Sequence, residues 1–139
     1  DNNTETWLRA NLYQSERSKS KWTGAIGLMY PSDYGYSTSS TDEVCNNTSL
    51  YKWSNGFGNP KCNANAWLQS SPGRWTITKN CTFNSRVFFV SHDGAVHGAG
   101  SGNYGANSQM EAYPVLFLKL DVKIQSGTGT ITDPFILTQ

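Results

Sequence analysis

Residues 75–96 read WTITKNCTFNSRVFFVSHDGAV. Both ends are strand-like. Trp75 to Thr78 carries rings and β-branched residues, and Val87 to Ser91 is a continuous apolar run of the kind buried on both faces. His92-Asp93-Gly94-Ala95 then predicts a hairpin, because Asp-Gly fits a two-residue turn with positive φ. In that register residues 92 and 95 pair, and His97 falls near Val90. The return strand is residues 95–98. Between the two strands lies TKNCTFNSR, polar, irregular and holding a cysteine. A segment that interrupts core strands without packing well is read as a loop kept for contact, held at both ends by the strands.

Outward from this stretch the pattern is one of short elements. Residues 7–18 place Trp7, Leu8, Leu12 and Ser15 at helical spacing. Residues 21–30 (KWTGAIGLMY) read as a Gly-interrupted strand, ended by the turn chemistry of Pro31-Ser32-Asp33. Asp42 is a candidate helix cap. Residues 46–65 read as loop with short turns, closed by Asn65-Ala66-Trp67-Leu68, which is expected in the core. Ser71-Pro72-Gly73 is a turn. Residues 98–109 (GAGSGNYGANSQ) form a Gly- and Asn-rich loop. Residues 114–124 (PVLFLKLDVKI) give the cleanest alternation, with Leu116, Leu118, Leu120, Val122 and Ile124 on one face. SGTGT turns the chain, and residues 134–137 are a last edge segment. The expected fold is α+β: few short helices, a twisted antiparallel sheet and long loops. Residues 1–6 are a polar linker and 7–139 one domain, as the chain's 139 residues allow.

Net charge is +1, which argues against a nucleic-acid or membrane footprint. No apolar run approaches a membrane span. The chain opens without a signal-like leader, as a mature or trimmed ectodomain would. Its three cysteines contain no Cys-x-x-Cys pair, which disfavours zinc and redox motifs. Cys45 and Cys62 bracket one loop; a bridge between them sets the protein outside the cytoplasm, and Cys81 is then left over. Ser91, His92 and Asp93 are triad residue types, but neighbours in a strand point to opposite faces. His92 and His97 are offset along the ladder and make a poor metal pair. No nucleophile, base and orienting group come within reach by spacing, so no enzyme and no cofactor are expected. What stands out is the composition of 78–86 and 99–109. They place Asn80, Asn84, Asn103, Tyr104 and Asn107 among Ser and Gly, the mixture of rigid rings and adaptable amides that contact surfaces use.

Five stretches carry a resemblance: WTGAIGLMYPSDYGYS (22–37), the Cys45…Cys62 pair followed by NAWL, the Trp75 strand, VFFVSHDGAV (87–96) and YPVLFLKLDVKIQSGTGTITDPFIL (113–137). Together they resemble a family of bacterial surface domains, many carrying a pilin-like N-terminal segment and associated with type II secretion or type IV pili. The pattern is also similar to the C-type-lectin-like fold of the formylglycine-generating group. That fold carries the variable proteins of diversity-generating retroelements, whose adenine-directed mutagenesis rewrites AAY codons. Asn80, Cys81, Thr82, Phe83, Asn84 and Ser85, with His92, Asn103, Tyr104 and Asn107, are all reachable from AAC by changing adenines. The Glu-Pro-Asn and Trp-Asn-Asp strings of calcium-dependent lectins do not occur, and only Cys81 lies where the formylglycine-generating enzymes keep a cysteine pair. A pilin's long apolar helix is not in the sequence, so a pilus role requires it to have been trimmed.

The resemblance implies an extracellular, cell-surface ligand-binding or adhesion domain. Its contact set would be Asn80, Cys81, Thr82, Phe83, Asn84, Arg86, His92, Asn103, Tyr104 and Asn107, with Phe83, Arg86 and Tyr104 as the strongest contacts. Its partner would be a protein or surface ligand, or other pilus subunits. The alternative is a structural pilin or surface subunit whose loops touch neighbouring copies.

Overall fold

The structure, a computed structural model, describes residues 7–19, 24, 26–38, 42–53, 62, 71–79, 87–98, 106–130 and 132–138. Among these, three short α-helices and a 3₁₀ turn precede a series of strands: α1 (Arg9–Lys19), β1 (Gly27–Leu28), α2 (Pro31–Thr38), α3 (Glu43–Asn46), the turn Leu50–Trp53, β2 (Arg74–Lys79), β3 (Val87–Val90), β4 (Val96–His97), β5 (Pro114–Val115), β6 (Lys123–Ser126) and β7 (Ile136–Thr138). The fold is mixed α+β, and the described strands form three small antiparallel sheets rather than one: β1-β5, β2-β3-β4 and β6-β7.

Helix α1 forms where the apolar spacing predicts it, but its inward stripe differs. Arg9, Leu12 and Glu16 are buried, at the i, i+3, i+7 spacing of one helix face, while Ser15 is exposed and Leu8 half-buried. Pro31-Ser32-Asp33 does not end the expected 21–30 strand in a turn; it starts α2. Turns and helix N-termini share residue preferences, and here Pro31 takes the first helical position, where its missing N–H costs nothing. Three residues into the helix motif, Asp33 Oδ2 accepts the Tyr30 N–H at 3.1 Å, half of a capping box. Asp42 caps α3 as expected, accepting the Val44 and Cys45 N–H groups at 2.9 and 3.1 Å. Of the strand expected at 21–30, only Gly27–Leu28 is one among the described residues. Asn65 to Leu68 lie outside them.

The β2-β3-β4 sheet is the organised centre. Arg74 pairs with Val90 and Trp75 with Phe89, then a register shift intervenes before Lys79 pairs with Val87. Thr76 Oγ1 donates to the Phe88 carbonyl at 2.7 Å in the interior. Phe88, Phe89 and Val90 are all buried, as a run flanked by strands on both sides should be. The β3–β4 connection corrects the expected two-residue turn. Val90 pairs with Val96 and Phe89 with His97, so the loop is His92-Asp93-Gly94. Gly94 N–H donates to Ser91 O at 3.0 Å, Ser91 N–H to Ala95 O at 2.8 Å, and Gly94 takes φ +84°. This is a three-residue hairpin with glycine in the left-handed position. The one-residue change of register moves His97 from Val90 to Phe89 and with it the face His97 presents.

The long strand expected over 114–124 is also corrected. Pairing stops after Val115, the chain turns with Val122 N–H on Lys119 O at 3.2 Å, and β6 begins only at Lys123. Leu116, Phe117, Leu118 and Leu120 are exposed, Leu120 wholly so. Alternation alone cannot hold a strand flat when its ladder partner, β1, supplies two residues.

The core gathers Trp7, Leu12, Met29, Tyr34, Leu50, Trp53, Phe88, Val90 and Val96 around the Cys45–Cys62 disulfide, both of whose cysteines are fully buried. The Tyr34 hydroxyl donates to the Gly94 carbonyl at 2.8 Å, tying α2 to the hairpin tip 60 residues away.

Candidate functional site

Two ladders decide where the suspected contact loops leave the body. Because Lys79 pairs with Val87, the chain leaves the β2–β3 ladder at residue 80 and re-enters it at 87. Thr78 and Lys79 therefore belong to β2, and the loop begins two residues later than the sequence pattern indicates. Strand β4 runs antiparallel to β3, from Val96 opposite Val90 to His97 opposite Phe89. By Gly98 the chain has thus run back toward the Val87 end of β3. Lys79, Val87 and Gly98, which flank residues 80–86 and 99–105 in the sequence, lie toward the same end of one sheet.

Asn80, Cys81, Thr82, Phe83, Asn84, Arg86, Asn103 and Tyr104 lie outside the described residues. Asn107 is exposed, in a turn at 106–108. Four residues later Glu111 is held against β2: its N–H donates to Gly73 O at 3.0 Å, its carbonyl accepts from Trp75 N–H at 2.9 Å, and its carboxylate meets Arg74 Nε at 3.2 Å. Arg74 also lies over the Tyr113 ring, 3.8 Å from its centre. His92 is exposed, but beyond the other end of β3, five residues or roughly 16 Å of extended chain away from Val87. The ladder does not group it with the 80–86 loop.

Across the sheet runs a row of rings that the corrected register creates. Trp75, Phe89 and His97 are direct cross-strand partners on β2, β3 and β4. Trp75 meets Phe89 edge-on at 6.2 Å, Phe89 stacks on His97 at 5.4 Å and 20°, and Tyr51 closes the row edge-on to His97 at 5.2 Å. Such cross-strand pairs are the units that stiffen a sheet. Phe88 faces the opposite way, onto Trp7 at 5.0 Å. Burial holds the His97 imidazole below its ordinary pKa, Asp93 pulls the other way, and His92 adds to the lowering. His97 is therefore a neutral packing ring near pH 7.

The hairpin tip was excluded as a relay on strand geometry, yet His92 and Asp93 lie in the turn. Ser91 Oγ comes within 3.4 Å of His92 Nδ1, while Asp93 Oδ1 instead accepts the Ala95 N–H at 3.2 Å. The acid is turned to the backbone and does not orient the imidazole. Among the described residues no three His, Cys, Asp or Glu side chains gather as a metal site, and no helix is long and apolar enough to cross a membrane.

The residues that sequence reading missed are polar and buried. Arg9 donates to the Gly35 carbonyl at 2.9 Å and to Asn46 Oδ1, and lies over Tyr36. Ser32 Oγ donates to Glu16, and Arg17 bridges to Asp33 at 2.6 Å. Burial raises the Glu16 pKa, against the Ser32 hydrogen bonds and Arg17. The signal was present in the spacing: Arg9 and Glu16 share Leu12's face of α1. No protein-family model matches this chain, and neither a curated protein nor a solved structure does.

Proposed function

We propose that this chain is an extracellular ligand-binding or adhesion display domain of C-type-lectin-like architecture, a variable protein diversified by a retroelement and carried on a pilus-like surface structure. It works as a binding module, not an enzyme. Its contact surface is formed by residues 80–86 with the first part of 99–109. One observation supports the reading: Lys79, Val87 and Gly98, the described residues that flank both segments, lie toward the same end of the β2-β3-β4 sheet, whose interior pairs Arg74–Val90 and Val90–Val96 are buried. Change within the loops then leaves the ring row and the core untouched. The Cys45–Cys62 disulfide supports folding in an oxidising compartment.

The test is genetic and physical. Homologous genes from one strain should differ at 80–85 far more than at 114–138, with a reverse transcriptase and a near-identical template repeat nearby. Replacing 80–85 by Gly and Ser should leave the unfolding midpoint unchanged while abolishing adhesion to host-cell or biofilm surfaces. Equal variation in the two segments sinks the diversified reading. The second reading, a structural surface subunit, is favoured by the exposed apolar residues after Val115. Filament imaging that shows ordered polymers with 80–86 buried between copies would select it.

A further inference from the structure

We draw no further inference here: the strongest candidate, the exposed apolar surface of residues 116–120 and of the β6–β7 ribbon, carries nothing because nothing in the structure shows what covers it.

Discussion

Two four-residue runs, VFFV at 87–90 and VLFL at 115–118, have nearly the same composition and very different fates. The first is strand β3, with a paired strand on each side, Trp7 under Phe88 and the ring row under Phe89. The second pairs for one residue, Val115, and is exposed from Leu116 onward. Hydrophobicity makes burial favourable, but burial happens only where other elements deliver covering surface. The core of this protein is set by the α1–α2 pair, the Leu50–Trp53 turn and the disulfide converging on β3, not by the runs themselves.

Replacing matched rings sharpens the contrast most. Phe88→Ala should cost about 3–5 kcal/mol in urea unfolding, because a fully packed ring leaves a cavity beneath Trp7. Phe117→Ala, in the exposed C-terminal arm that begins after Val115, should move stability by less than about 0.5 kcal/mol. Equal losses would show that the arm belongs to the folded body. Next in size is the covalent tie on the body side. Cys45 and Cys62 are 17 residues apart, and removing their bridge in a Cys45→Ser, Cys62→Ser variant should cost about 3 kcal/mol. That loss should appear as a lower urea midpoint of the body, with hydrogen exchange of 116–138 unaltered.

Legibility from sequence follows the same division. Strands β2 and β3, the Asp42 cap, the helix at the start and the disulfide were readable, because local pattern and tertiary packing agree there. The hairpin register was not. Asp-Gly serves a two-residue turn or the end of a three-residue one, and the cross-strand ring row that decides between them is visible only in three dimensions. Helix α2 was hidden because Pro-Ser-Asp opens both turns and helices. The tail misled for the opposite reason: its alternation is clean, and nothing local shows that β1 offers only two residues to pair. For the candidate site, sequence composition marked segments most of which lie outside the described residues, and the ladders place their flanking residues, Lys79, Val87 and Gly98, toward one end of the sheet.

A smaller effect probes how the body is tied across sequence. Tyr34→Phe removes the hydrogen bond to the Gly94 carbonyl and should cost about 1 kcal/mol, the worth of a buried hydrogen bond. Thr130→Ala, in the exposed turn of the arm where Thr130 Oγ1 accepts the Asp133 N–H, should cost no more than a few tenths, since water replaces the lost acceptor. Parallel unfolding curves of the two variants check the ratio.

The smallest expected effect is a pH dependence of the body. Glu16 has a raised pKa in the folded state, mainly by burial, so its favourable contribution is complete below its ordinary value of 4.5 and is lost as pH rises through the folded value. His97 has a lowered pKa, again mainly by burial, so its contribution is complete above its ordinary 6.5 and is lost as pH falls toward the folded value. The two trends oppose each other between those limits and flatten the wild-type profile of urea midpoint against pH. Each substitution should expose the other group. Glu16→Gln, which keeps an acceptor for Ser32, should leave stability that climbs with pH through the histidine range. His97→Phe, which keeps the ring against Phe89 and Tyr51, should leave stability that declines as pH climbs from the carboxylate range. Variants whose profiles both run parallel to the wild type would mean that neither group is buried as the fold has it. Arm substitutions such as Leu120→Ser should leave the profile where it was, because the Leu120 side chain is fully exposed.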